Sequence, residues 1–245
     1  MKKSLKNLFV LSLLFSTFAC QNATFTKEQI SEVTKEHQMI YVWSLNAILN
    51  QENKVSDFVF GGEEKNAIYV EDFRAALKDW WGVNNKNDLL STINKLQNGK
   101  GHHQDFMRDY KGFFDITEEQ FQKNLKNNPD YNDIDNLLWK NKTFYKEKGI
   151  LGWDIVRTTA LIGWGYQAEY LTMEEAYELS IITGTAVQKN FNSYKELSDN
   201  YLTGYLFWTQ DYNKYNENVT KVKLLLEDPE SAWNIFPSDY DLSKK

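Results

Sequence analysis

Five polar side chains carry most of the chemistry open to this sequence: His102, Asp154, Arg157, Glu175 and Glu196. Asp154 and Arg157 lie three residues apart in a stretch where Trp153, Val156, Arg157, Ala160, Leu161 and Trp164 recur at the spacing of one helix face. A guanidinium cannot shed its proton, so an arginine on an apolar face needs an acceptor, and Asp154 is the nearest in sequence. Glu175 and Glu196 close two Thr/Ser-x-x-Glu patterns, Thr172 to Glu175 and Ser193 to Glu196, which read as capping boxes. Two readings of the set follow. In one, the five residues form a buried cluster lining a pocket beside Trp153, Trp164, Tyr201 and Trp208. In the other, Arg157 is a strut held through Asp154, and the glutamates only cap their own helices. Capping accounts fully for both glutamates, which favours the second reading.

Recognisable catalytic patterns are absent. There is no Gly-x-Ser-x-Gly, no Gly-x-x-x-x-Gly-Lys-Ser/Thr and no Gly-x-Gly-x-x-Gly after a strand. Asp154, Glu174, Glu175 and Glu196 could supply an acid/base pair, but their spacing does not demand one. His102 and His103 are adjacent near Asp105, yet neighbouring residues on a helix diverge, whereas metal pairs need i, i+4 or similar spacing. The sequence therefore predicts no metal site and no cofactor. His37, on an apolar helix face, reads as a core histidine with a backbone partner.

These residues need helices to position them. Residues 151–208 read as three: one over about 153–170, one opening at Thr172 with a face of small residues (Ala176, Ser180, Thr183), and one opening at Ser193 with Leu197, Tyr201, Tyr205 and Trp208 along a stripe. Gly204 leaves room beside that stripe for a ring or a backbone. Short connections make the three antiparallel neighbours. Further helices are expected at about 27–50, 70–81 (ended by Gly82), 88–97 with Asn87 as cap, 106–114, 117–125, 134–148 and 219–227. Asn127 to Asp130 breaks the pattern, residues 209–218 are polar, and a tail with Trp233, Ile235 and Phe236 docks on the body. Glycine and proline are sparse (12 and 3), and no long linker interrupts the chain. The expected fold is all-α: one compact domain, residues 27–245, of roughly eight to ten helices around the central three-helix unit.

The motifs in this order resemble a bacterial family, domain of unknown function 1266. The resemblance rests on Trp153-Asp154-x-x-Arg157, Trp164-Gly165-Tyr166, Glu174-Glu175-Ala176, Phe191-x-Ser193-Tyr194-x-Glu196, and Tyr201-x-x-Gly204-x-x-Phe207-Trp208. Trp81-Gly82-Val83 and Gly101-His102-His103 fit as well, with tyrosines at 194 and 205 and His103 departing from the family pattern. It covers about residues 43–208. It implies a helical domain, with the residue 101–103 corner placing one polar side chain, His102, against the central helices. It implies no particular activity.

The first residues suggest an address. Lys2, Lys3 and Lys6 precede an apolar run from Leu8 to Phe15, and Ala19 precedes Cys20. This segment is too short to span a bilayer and reads as a signal peptide, residues 1–19. Cys20 is the one cysteine, so no internal disulfide is possible. The pattern resembles a lipoprotein signal, with Cys20 lipidated and residues 20–26 as a tether. The expected location is the bacterial cell envelope, with the membrane as partner through an N-terminal lipid. No acid directly follows Cys20, which by likeness to lipoprotein sorting points to the outer membrane.

Without residues 1–19 the chain carries 25 basic and 34 acidic residues, a formal charge of −9. That balance argues against nucleic acid and anionic lipid as partners, and is compatible with a protein that has a basic surface. Two functions follow. One is a lipid-anchored, non-enzymatic envelope protein that binds a protein or small ligand. The other is a hydrolase-like enzyme with an Asp154/Arg157-centred pocket.

Overall fold

The computed structural model describes residues 25–127 and 133–243. The proposed signal segment and Cys20 lie outside the described residues, as does most of the expected break at residues 127–130. The regular secondary structure of the described residues is all helical, with no strand. Thirteen α-helices follow in order: α1 (Lys35–Ser44), α2 (Ala47–Asn53), α3 (Val70–Trp81), α4 (Lys86–Gln97), α5 (His102–Asp109), α6 (Glu118–Asn127), α7 (Asp133–Lys140), α8 (Lys142–Lys148), α9 (Leu151–Gln167), α10 (Met173–Asn190), α11 (Tyr194–Thr209), α12 (Tyr212–Glu227) and α13 (Ala232–Ile235).

Helix α9 is the axis. Only Leu151, Arg157 and Tyr166 of its seventeen residues escape full burial. A helix that is buried almost all round must be wrapped by others. Helices α11, α10, α4, α3, α5 and α1 all pack against it. The expected central unit of α9, α10 and α11 is thus in place.

Two apolar clusters divide along α9. Its first turns give Trp153, Ile155 and Val156 to a cluster shared with α1, α11 and the C-terminal tail. Its later turns give Ala160, Leu161, Ile162 and Trp164 to a second cluster with Leu77, Leu89, Ile93 and Leu96. Each fully buried side chain of this size contributes about 1.5–3 kcal/mol, so both clusters hold the fold together.

The segmentation is finer than the sequence suggested. Thr26 and Gln29 do exchange capping hydrogen bonds, but they close a single 3₁₀ turn at Gln29–Ser31. The helix proper starts at Lys35 behind the side-chain cap of Thr34 and ends at Ser44, before α2. The run expected over 134–148 is likewise two helices, α7 and α8. Asn85, not Asn87, caps α4: its side-chain Oδ1 accepts the Asp88 N–H. The polar stretch 209–218 is largely helical, because Asp211 caps α12 and starts it at Tyr212. Its polar residues line a solvated face, while Asn218, Val222 and Leu225 turn inward. In the tail, Trp233 and Phe236 are buried as expected. Trp233 donates from Nε1 to the Ser44 carbonyl and stacks on Tyr194 at 5.1 Å.

Candidate functional site

The site forms where the start of α5 meets the first turns of α9 and the end of α11. Gly101 precedes α5 with φ −92° and ψ −136°, outside both the helical and the extended regions, and three successive N–H groups, those of residues 101–103, face α9. The Asp154 carboxylate accepts all three. Oδ2 takes the N–H groups of Gly101 and His103, and Oδ1 that of His102, each at 3.1 Å. Asp154 is 0% exposed. A carboxylate from one helix therefore caps another, where its charge meets the positive end of the α5 dipole. Burial pushes its pKa above the usual carboxylate range, while the three N–H donors and the charge of Arg157 pull it back. A Cβ on Gly101 would sit 2.5 Å from Oδ2, so only glycine lets the backbone approach this closely.

Fixing the backbone at 101–103 aims the His102 imidazole at α9. Its Nδ1 lies 2.9 Å from Arg157 Nη1 and 3.4 Å from Trp153 Nε1. Arginine and indole nitrogens can only donate, so Nδ1 must be the acceptor, and the ring is neutral with its proton on Nε2. The Arg157 guanidinium lies over two indoles, 4.4 Å from the Trp81 centroid and 4.6 Å from that of Trp153. Burial pulls its pKa down to about 10, offset in part by Asp154, and it stays cationic at neutral pH.

This corrects the expected pairing. No ion pair within 4.0 Å joins Asp154 to Arg157; the carboxylate is occupied by backbone and the guanidinium by a histidine and two rings. The two residues are neighbours on α9 but serve different partners.

The aromatic set divides as well. Trp153 gathers Tyr201 at 5.0 Å and Trp208 at 5.7 Å, and Trp208 also faces His102 at 6.5 Å. This closeness depends on Gly204, since a Cβ there would collide with Cβ of Trp153. Trp164, expected in the same pocket, lies elsewhere. It is eleven residues further along α9, which at about 1.5 Å per residue carries it some 16 Å away. There it meets Trp80 edge-on at 5.8 Å, in the second cluster.

The two glutamates stay outside the site. Thr172 and Glu175 form a complete capping box, and Glu175 also pairs with Lys86, which holds it below the usual carboxylate range. Ser193 caps α11 through the Glu196 N–H. The return bond differs from a capping box: the Glu196 carboxylate accepts from the backbone and side chain of Asn192, one residue before the cap. Neither glutamate touches His102, Asp154 or Arg157.

Residues that sequence reasoning did not weigh complete the site. Trp81 was visible as part of the Trp-Gly-Val motif, but its seat on Arg157 needs α3 folded against α9. Asn200, buried, ties down the turn before α9: it donates to the Gly149 carbonyl at 2.8 Å and accepts the Gly152 N–H at 2.7 Å. Its only signal was a polar residue on the inward side of α11. His103, the neighbour of His102, packs its ring beside Gly99 and Gly149 with Nδ1 buried and without a partner. Among the described residues no group of three or more His, Cys, Asp or Glu could hold a metal ion. His37 has the expected backbone partner, the Glu32 carbonyl at 2.7 Å, but it is half-buried at the edge of α1 rather than a core residue.

A family model described as a protein of unknown function (DUF1266) matches residues 76–237. No curated protein and no solved structure matches the chain. The matched span takes in Trp81, the 101–103 corner, all of α9 to α11 and the docked tail. It begins later and runs further than the motif-bearing stretch 43–208.

Proposed function

This chain belongs to the DUF1266 family, and from that premise we propose that it is a membrane-tethered protein that works by binding rather than by catalysis. The observation that carries this reading is the state of Asp154. Its two oxygens accept three backbone N–H groups, and no part of the residue is open to solvent. A carboxylate sealed in this way can neither reach a substrate nor exchange a proton with one. The hydrolase-like alternative depends on that group, so the geometry supports the binding reading. What the site turns outward is indole and guanidinium. Trp208 is 44% exposed, with Trp81 and Arg157 partly open between the packed helices. Tryptophan and arginine are the residues that most often carry binding energy in interfaces.

The tether is supported by the sequence at Cys20. Among the described residues no helix is long and apolar enough to cross a membrane. The formal charge of −9 without residues 1–19 argues against a nucleic-acid ligand and supports a basic protein partner on the rest of the surface. The proposed address remains the bacterial envelope, at the outer membrane.

The test is detergent phase partitioning of the full chain made in a bacterial host, followed by affinity capture from envelope extract. Wild type should enter the detergent phase and Cys20→Ala the aqueous phase. Identical partitioning of the two would remove the tether. A hydrolytic activity lost in Asp154→Asn at unchanged melting temperature would replace binding with the enzymatic alternative.

A further inference from the structure

Among the described residues Arg157 is a cation with no carboxylate in direct contact; its nearest acid, Asp154, acts on it only at longer range. Its hydrogen bond to a protein atom runs from Nη1 to neutral His102, and among the described residues no carboxylate lies within 4.0 Å of it. The indoles of Trp81 and Trp153 cover it but offer no acceptor in its plane. Among the described residues the Nε and Nη2 N–H groups find no acceptor, and neither atom is sealed from solvent, since the buried polar atoms without partners lie on other residues. A guanidinium donates only in its plane, and a planar carboxylate fits that fork with two parallel hydrogen bonds.

We propose that Arg157 is the anion subsite of a ligand site for small planar carboxylates, with Trp208 as the surface on which the body of the ligand lies. The reading deepens the binding function above and rests on it. Trp208 touches both residues that hold Arg157, Trp153 at 5.7 Å and His102 at 6.5 Å, and it is the open ring of the group. A flat or apolar body laid there lies against the same two residues, Trp153 and His102, that contact the guanidinium. One cation beside a neutral histidine suits a single negative charge, whereas a phosphate dianion would call for a second cation. The paired rings also explain why arginine stands here: its delocalised charge tolerates stacking between indoles better than an ammonium does. The held tautomer of His102 keeps a like charge away from the subsite.

The experiment is isothermal titration calorimetry on the full chain in detergent micelles, with sodium benzoate, sodium acetate and inorganic phosphate as probes. Benzoate should bind saturably, about threefold or more tighter than acetate, the gain being that of one aromatic contact. Phosphate should bind more weakly than benzoate. Arg157→Gln, checked for fold by circular dichroism, should lose benzoate affinity by about tenfold or more. Trp208→Leu, at an open position, should bring benzoate down to the level of acetate and leave acetate unchanged; it keeps the test decisive if the Arg157 variant fails to fold. No saturable heat with benzoate, tighter binding of phosphate, or an unchanged benzoate-to-acetate ratio in Trp208→Leu would each overturn the assignment. If that happens in a protein that still partitions into detergent through Cys20 and still captures a partner, the tethered binding reading stands and only this site is lost.

Discussion

Nη1 of Arg157 lies 2.9 Å from Nδ1 of His102, and this contact joins a residue that can only donate to one that must then accept. It holds His102 neutral, spares Arg157 from pairing with Asp154, and leaves Asp154 free to cap α5. The site thus depends on a division of labour between two residues three apart on α9.

That division predicts an order of stabilities. Asp154→Ala strands three N–H groups inside the protein and should lower stability by about 3–5 kcal/mol. Arg157→Met keeps an apolar stem between Trp81 and Trp153 and should cost about 1–2 kcal/mol. Thermal and denaturant melts of the two variants decide the matter. Equal losses would mean that the two residues act as one ion pair after all.

Close approach makes two glycines irreplaceable. Gly204→Ala would drive a methyl into Cβ of Trp153, and Gly101→Ala would press one against Asp154 Oδ2 and Leu96. The first obstacle is the root of a packed indole, and the second is a carboxylate pinned by three hydrogen bonds beside a buried leucine methyl. Each variant should lose about 2 kcal/mol or more, and near-ultraviolet circular dichroism should report loosened tryptophans. Gly82→Ala is the control for backbone strain alone, since that glycine has positive φ but meets nothing within 4 Å; its loss should be about 1 kcal/mol.

Asp57 sets a pH dependence. Burial raises its pKa from 3.8 to about 7, against the lowering effect of its hydrogen bond from Asn50. The unfolded chain releases this proton near 3.8 and the folded chain near 7, so between those values the folded state binds more protons. The contribution of this group to stability is present at low pH and is lost as pH rises from about 4 to 7. Asp57→Asn keeps an acceptor for Asn50 without the charge. It should match wild type near pH 3.5 and exceed it by on the order of 2 kcal/mol at pH 8, with part of the shift discounted for solvent access. Melting temperatures across that range provide the check.

His103 acts in the opposite direction. Burial lowers its pKa below the usual 6.5, and its buried Nδ1 has no partner. Unfolded, the ring takes up a proton near pH 6.5; folded, it does so only at lower pH. Stability from this group is present above about 6.5 and falls as pH drops below it. His103→Leu removes both the orphan nitrogen and the titration. Its melting temperature should fall less than that of wild type between pH 7 and pH 5, and a parallel fall in both proteins would refute the assignment.

The sequence by itself determined the helical class and the central unit. Trp153, Val156, Ala160 and Trp164 mark a helix by period alone, and Thr172 with Glu175 announces the next, because periodicity and capping are local properties of a chain. The same locality made Asp154 and Arg157 look like a pair. Tertiary structure decided otherwise: α5 brings three N–H groups to Asp154 from some fifty residues away, and α3 brings Trp81 to Arg157 from 76 residues away. It also parted Trp164 from Trp153, Tyr201 and Trp208, since one helix face long enough to carry all its residues passes through two apolar clusters. A side chain's position on its own helix is written in nearby residues. Which distant backbone or ring it meets depends on how helices stack, and no spacing along one helix encodes that.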